Sequence, residues 1–582
     1  MVKVKIDGVL VEVPEGSTIL DAAEVAGIRI PTLCFLKDIN AIGACRMCLC
    51  EVKGARSLCA ACVYPVEAQR DGSPMEVYTN TPTLRANRKK TLELILSNHR
   101  MDCLSCPRST DCELQTLARE YGVDQYKYGN PTKEPDIDDS AIHLIRDNSK
   151  CILCRRCVAV CRKNQFTGVI GANERGYDTH ISSAFDMPLA STACVHCGQC
   201  ISVCPVGALT ERDDTDKVWA ALADPAKHVV VAPAPSVRAQ LGECFGLPMG
   251  TNVEGKLIAA LRRLGFDKVF DVDNAADITI MEEGTELLNR LKNGGKLPMI
   301  TSCSPGWIKF CEEYYPEFTD NLSTCKSPQG MYGALVKTYY AEKMGIDPKD
   351  IFCVSIMPCT AKKFECARPE LGRDGYQDID VSLTTRELAN MIKRAGIKFT
   401  ELPDEVCDPF LGIASGAGHI FGATGGVMEA ALRTVYEVVT GKQLTPPDFK
   451  EVRGTEGIKE AEYDLDGTKV RVAVTSGLNN AAKLLDMVKA GEKDYHFIEV
   501  MCCPGGCVNG GGQPHQPGYV HNYKDIRAIR ASALYNEDAA MTLRKSHENP
   551  EVKELYDNYL GEPNSHKAHE LLHTHYTKRS VY

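Results

Sequence analysis

No stretch of this 582-residue chain approaches the ~20 consecutive apolar residues that cross a bilayer. The opening MVKVKIDGVLVEV alternates like a strand, where an export signal would carry a charged region and then an apolar one. A protein without a membrane span, held in the cytoplasm, is therefore expected. Basic runs are also missing: 67 basic and 77 acidic residues sum to -10, so nucleic acid is not an expected partner. No G-x-G-x-x-G follows a strand-like run and no Walker sequence occurs, so any nicotinamide or flavin must be handled by a partner. Nor can one hydrophobic core serve so long a chain, and 44% apolar residues support roughly three to five domains.

Cysteine is what the chain has in quantity. Its 28 cysteines would suit a disulfide scaffold only in a small secreted chain, so metal binding becomes the default reading. Seventeen of them precede residue 205 in short-spaced groups, and a dense knot follows at 502 to 507.

The N-terminal alternation around Gly8 predicts a hairpin, and STILDAAEVAG predicts a helix. Cys34, Cys45, Cys48 and Cys62 follow, an array similar to plant-type 2Fe-2S ferredoxins but with a wider first gap. Cys50 and Cys59 are read as small buried residues. His99, Cys103, Cys106 and Cys112 form a second group, in which spacing leaves both zinc and iron open. A 4Fe-4S cluster is preferred there because clusters flank it. Cys151, Cys154, Cys157 and Cys161 then repeat as Cys194, Cys197, Cys200 and Cys204, both as C-x2-C-x2-C-x3-C. This resembles the bacterial two-cluster ferredoxin run, whose fourth cysteine completes the other cluster: Cys204 would join the first set and Cys161 the second.

After the polar stretch ERDDTDK, apolar runs alternate with helical ones, which predicts a parallel sheet covered by helices. KHVVVAPAP, KLPMITSC, IFCVSIMPC, KVRVAVTSG and YHFIEVMCC read as strands. Three of the five end in cysteine, and ligands of open α/β sheets gather outside the carboxyl ends of strands. A buried metal site is expected at their convergence.

TSCSPGW at 301 to 307, MPCTAKKFE at 357 to 365 and EVMCCPGGCVNGGGQP at 499 to 514 closely resemble the three signatures of the FeFe hydrogenase catalytic domain. With the cluster groups upstream, the resemblance covers nearly the whole chain. It implies an H-cluster, in which a cubane shares a cysteine thiolate with a two-iron unit bearing CO, cyanide and a dithiolate. By position Cys359, Cys503 and Cys507 match cubane ligands. Lys362 matches the lysine that holds a cyanide, and Ala234, Pro235, Ser236, Pro328, Gln329, Met357, Phe421 and Met501 match residues lining the pocket. The glycines 505, 506 and 510 to 512 are expected to let backbone approach the cluster. Glu283, Glu286 and Arg290 share one helical face and, with Ser323, match the family's proton relay. The family's paired cysteines are Cys303 and Ser304 here, a departure from the pattern. In the family's pair the upstream cysteine donates the proton and the downstream one ligates the cubane, so strict register makes Cys303 the donor. Because a thiolate binds iron far better than a hydroxyl, Cys303 is instead expected to be the fourth cubane ligand, with Ser304 or a water in the relay and Cys502 in reserve for either role.

The fold expected is α/β and multidomain: a β-grasp 2Fe-2S ferredoxin-like domain over 1–78, a His-Cys 4Fe-4S segment over 79–135, a two-cluster ferredoxin-like domain over 136–212 and a two-lobed α/β catalytic domain over 213–582. One 2Fe-2S cluster, three 4Fe-4S clusters and the H-cluster follow, with dihydrogen and protons as substrates. Expected partners are ferredoxin or NAD(P)-binding flavoprotein subunits, and the hydrogenase maturation proteins. An electron-relay subunit of a respiratory-type dehydrogenase would share only the N-terminal pattern, and an iron-sulfur assembly protein would lack the N-terminal wiring. HELLH at 569 to 573 matches a zinc-hydrolase motif but leaves only nine residues for a third ligand, so it reads as a terminal helix. Cys244, Cys311, Cys325, Cys353, Cys366 and Cys407 read as packing residues.

Overall fold

In the computed structural model, which describes residues 1–69, 71–124, 127–128, 134–465 and 467–581, the N-terminal alternation forms antiparallel strands Val2–Ile6 and Val9–Val13. Asp7 and Gly8 join them with φ of 46° and 93°, which matches the strand twist. Val2–Ile6 pairs in parallel with Met75–Tyr78, and Leu49–Val52 and Cys59–Ala60 complete a five-stranded sheet. Helix Ile19–Val25 starts at a capping box between Thr18 and Asp21, and its apolar face packs on Val4, Ile6 and Val77. Helices Pro82–Leu96 and Glu113–Glu120 follow. Residues 129–133, beside the boundary expected at 135, lie outside the described residues.

The cysteine repeat is also a repeat of backbone conformation. Leu153 and His196 stand at equivalent positions with φ of 55° and 59°, and Arg155 and Gly198 do so with 61° and 67°. Each run thus turns left-handed twice before entering helix Arg156–Lys163 or Gln199–Ser202. A three-stranded antiparallel sheet, Leu209–Glu211, Leu144–Asp147 and Ile137–Asp138, backs them.

The remainder is built on two four-stranded sheets. Lys268–Val269, His228–Pro233, Ile351–Met357 and Val381–Thr384 are all parallel. Met299–Ile300, Phe497–Met501 and Thr468–Ser476 are parallel, with Ile458–Leu465 antiparallel at the edge. All five apolar runs are strands; Phe497–Met501 is buried on both faces, and the edge strand alternates buried and exposed. The 22-residue helix Val272–Asn293 runs between the sheets and serves both cores: Val272, Ala275 and Ile278 belong to one, Ala276, Ile280 and Leu287 to the other. Val195, from the second cysteine run, sits in a core with Trp307 and Phe310. No helix among the described residues is long and apolar enough to cross a membrane.

Candidate active site and metal centres

The strands Met299–Ile300, Ile351–Met357 and Phe497–Met501 end just before Cys303, Cys359 and the Cys502–Cys503 pair, and all four cysteines face one cavity between the two sheets. Ala234, Pro235, Ser236, Pro328, Gln329, Met357, Phe421 and Met501 line it with Lys362 and Cys507. Val272, Pro305, Pro358 and Gly422 line it too, and nothing in their residue types marks them in the sequence. The glycines have a reason beyond approach to a cluster. A Cβ on Gly506 would lie 2.6 Å from the Thr424 nitrogen, one on Gly510 2.2 Å from the Pro358 oxygen, and one on Gly511 2.2 Å from the Cys197 oxygen. Neighbouring backbone already fills that space.

The five thiols of the cavity have different neighbours. Cys359 faces the thiols of Cys503 and Cys507. Cys303 instead faces the carboxyl of Glu283, with Cys507 and Lys362 also beside it, and burial together with Glu283 pushes its thiol up. Cys502 lies against the thiols of Cys197 and Cys503, which push it up ahead of burial. Its N–H donates to Ser304 Oγ at 3.2 Å, so the serine and this extra cysteine are neighbours on one side of the cavity. Lys362 Nζ donates to Glu365 Oε2 at 2.6 Å, Ser327 Oγ at 2.8 Å and the Cys303 carbonyl at 3.3 Å. A buried, tethered cation thus stands at the wall.

Glu283, Glu286 and Arg290 lie on the helix Val272–Asn293. Burial, and then the Glu286 carboxylate, push Glu283 up to about 8. Ser323 bonds Glu283 and donates from Oγ to Glu286 Oε2 at 3.0 Å, so the hydroxyl joins the two carboxyls. Glu286 Oε1 accepts from Arg290 at 2.6 Å.

Upstream, Cys34 bonds Cys45, Cys48 lies 3.3 Å from Cys62, and the Cys62 thiol also senses Cys34 and Cys45. Cys50 and Cys59 pair across the strands Leu49–Val52 and Cys59–Ala60 and are buried there. His99 is buried just beyond helix Pro82–Leu96, and Cys103 and Cys112 both face Cys106. Cys204 sits among Cys154 and Cys157, and Cys161 among Cys194, Cys197 and Cys200. The HELLH residues do not form a zinc set: Glu570 is exposed, and the His573 nitrogens meet Thr324 Oγ1 at 2.7 Å and Glu282 Oε2 at 3.0 Å. Of the isolated cysteines, Cys311 and Cys353 are fully buried, and Cys244 and Cys407 are half-buried against a core. Cys325 and Cys366 touch Glu286 at 3.8 Å and Gln329 at 3.3 Å.

Residues 227–511 match the C-terminal domain of the iron-only hydrogenase large subunit, and 524–579 the iron hydrogenase small subunit. Residues 1–82 match a 2Fe-2S cluster binding domain, 88–126 the iron-sulfur binding region of NADH-ubiquinone oxidoreductase-G, and 150–208 a 4Fe-4S dicluster domain. The chain is 50% identical to the NADP-reducing hydrogenase subunit HndD of Solidesulfovibrio fructosivorans, over 100% of this chain and 99% of that protein. It is 46% identical to iron hydrogenase 1 of Clostridium pasteurianum, over 98% and 99%. A solved variant of apo FeFe-hydrogenase HydA1 from Chlamydomonas reinhardtii superposes with a TM-score of 0.57 at 47% identity, covering 63% of this chain and 99% of that one.

Proposed function

Because the chain belongs to the iron-only, FeFe hydrogenase family of oxidoreductases, we propose that it interconverts dihydrogen with two protons and two electrons at an H-cluster in the cavity between its two sheets. The observation that carries this is the convergence of Cys359, Cys502, Cys503 and Cys507 on one mostly apolar space, with Cys303 and Lys362 on its wall. The donors fit the group. Four thiols can ligate a cubane, glycine backbone forms the wall, and Lys362 supplies a buried cation for an anionic ligand. When bound, the H-cluster supplies the two-electron redox chemistry. We assign the fourth cubane ligand to Cys502 in place of Cys303. The chain has lost the usual thiol at Ser304 and carries one at Cys502, next to Cys503 and within backbone hydrogen-bond distance of that serine.

Cys303 then ends the proton relay. Its thiol faces Glu283, Ser323 joins Glu283 to Glu286, and Glu286 is held by Arg290. A Glu283 carboxyl held near neutral pH can both give and take a proton under working conditions.

Electrons would travel through four upstream clusters: a 2Fe-2S at Cys34, Cys45, Cys48 and Cys62, a 4Fe-4S at His99, Cys103, Cys106 and Cys112, and two more in the paired runs. The domains would be a β-grasp unit over 1–78, the His-Cys segment over 79–135, the two-cluster unit over 136–212 and the catalytic unit over 213–582. So much wiring without a nucleotide motif favours a cytoplasmic, multisubunit enzyme whose partner is a ferredoxin or an NAD(P)-linked flavoprotein. The name of the HndD relative supports the second. Infrared spectroscopy of protein matured by the hydrogenase maturation proteins tests the whole reading. CO and cyanide bands, with about 20 iron atoms per chain, are expected; turnover without those bands, or stoichiometric zinc at His99, would overturn the corresponding part.

A further inference from the structure

The relay as described has no outlet. Arg290 spends all three guanidinium nitrogens on Glu286 and the carbonyls of Lys296, Asn321 and Leu322. A guanidinium stays protonated at any working pH, so it can neither accept a proton from Glu286 nor hand one on. Glu286 has a second contact, however. Its Oε2 accepts from Thr324 Oγ1 at 3.2 Å, and Thr324 Oγ1 lies 2.7 Å from Nδ1 of His573. On the far side of the ring, Nε2 lies 3.0 Å from Glu282 Oε2, and His569, exposed at the surface, packs against His573 with ring centroids 4.0 Å apart and the rings tilted by 31°. This register is built into the fold: Lys326 N donates to the Leu572 carbonyl at 2.8 Å and Thr574 N to the Thr324 carbonyl at 2.7 Å, pinning the tail to the relay segment.

We propose that Thr324 and His573 form the outer arm of the proton relay, exchanging protons between Glu286 and solvent at His569, while Arg290 serves as a fixed counter-charge. The inference rests on the Glu283–Glu286 relay read above. Inward transfer moves one proton from His573 to Glu286. Imidazolium His573 gives its Nδ1 proton to Thr324 Oγ1 as the hydroxyl proton passes to Glu286 Oε2, leaving neutral His573 with its Nε2 proton toward Glu282. Rotation of the hydroxyl resets the chain, and because Nε2 keeps its proton, the imidazole swings so that the vacant Nδ1 takes the next proton from His569 or a water at the surface and then returns to Thr324. His569 and His573 are the two histidines of HELLH, so the motif would serve protons here and not zinc.

The test uses matured holoenzyme, with proton reduction and hydrogen-deuterium exchange measured beside the CO and cyanide bands. His573→Ala should keep the bands and lose about tenfold or more in turnover. Added imidazole, a small proton carrier, should restore it in a concentration-dependent way, which it could not do for a merely structural side chain. Thr324→Val, which keeps the volume and removes the hydroxyl, should show a similar loss and decides the matter if His573→Ala fails to mature. Turnover within twofold of the parent in both variants, or a loss in His573→Ala that imidazole leaves unchanged, overturns the proposal. Glu286→Gln separates the two readings. If it leaves turnover intact, the inner relay itself is wrong; if it collapses turnover while His573→Ala does not, only the outer arm fails.

Discussion

At the scale of single residues, the proposed exchange of the usual thiol at Ser304 for Cys502 separates the roles of two cysteines. Cys502→Ala should abolish the cubane's electron paramagnetic signal after maturation, because alanine leaves one iron without a thiolate. Cys303→Ala should keep the H-cluster infrared bands and lose about a hundredfold or more in turnover, the loss expected on removing a positioned proton donor. The opposite pattern, with bands lost in Cys303→Ala and kept in Cys502→Ala, would return the ligand role to Cys303. Glu283 adds a pH dependence. Its carboxyl is raised from 4.5 to about 8, so it holds a proton below that pH and loses it above. Proton reduction should therefore decline as pH rises through about 8. Glu283→Gln, which cannot exchange the proton, should be slow at all pH values and show no inflection there; an unchanged inflection assigns the titration to another group.

At the scale of elements, the site depends on how strand ends and helix starts are tied together. Glu499, on the buried strand Phe497–Met501, accepts from the N–H groups of Gly425 at 2.6 Å and Met428 at 2.7 Å, at the start of helix Gly426–Thr440. Those N–H groups have no partner within the helix, and a side-chain acceptor there fixes the helix against the strand that carries Cys502 and Cys503. Glu499→Ala should cost about 1–3 kcal/mol by leaving buried donors unpaired. A lowered thermal midpoint of the matured enzyme would register it, whereas an unchanged midpoint would mean that water replaces the carboxylate. Gly511 ties a second pair of elements, since its backbone lies against Cys197 and Gly198 of the neighbouring cluster run with no space for a Cβ.

At the scale of the whole molecule, the N-terminal units are not equally separable from the catalytic one. Val195 is part of the core around Trp307 and Phe310, and Gln199 Nε2 donates to the Asn509 carbonyl at 2.7 Å. Residues 1–78 meet the C-terminal part of the chain through contacts such as the Lys37 N–H donating to Asn522 Oδ1 at 2.9 Å, in a loop outside the first sheet. Deleting residues 1–135 should leave the infrared bands and the activity with an artificial electron donor, and remove activity with the natural partner. Deleting residues 1–212 should open the Trp307 core and lower the thermal midpoint further. Equal midpoints for the two truncations would show that the second cysteine run is not part of the catalytic core.

Periodicity and spacing by themselves determined a good deal of this protein. All five apolar runs are strands; in Phe497–Met501, buried on both faces, the one charged residue, Glu499, is matched by backbone N–H groups, and the duplicated cysteine spacing reappears as the same left-handed turns at Leu153 and His196. Local pattern also put Glu283, Glu286 and Arg290 on one helix. What spacing could not decide is which side of a cavity a side chain faces. Cys303 and Cys502 lie almost two hundred residues apart in sequence, and only the packing of two sheets against one long helix sets the first beside Glu283 and the second between Cys197 and Cys503. The outer arm was invisible for the same reason. Nothing in HELLH points to Thr324, and the two meet only because the tail folds back as a bridge beside it. Local sequence acts over a few bonds, whereas the direction of a proton or the choice of a ligand depends on contacts that form when distant segments pack.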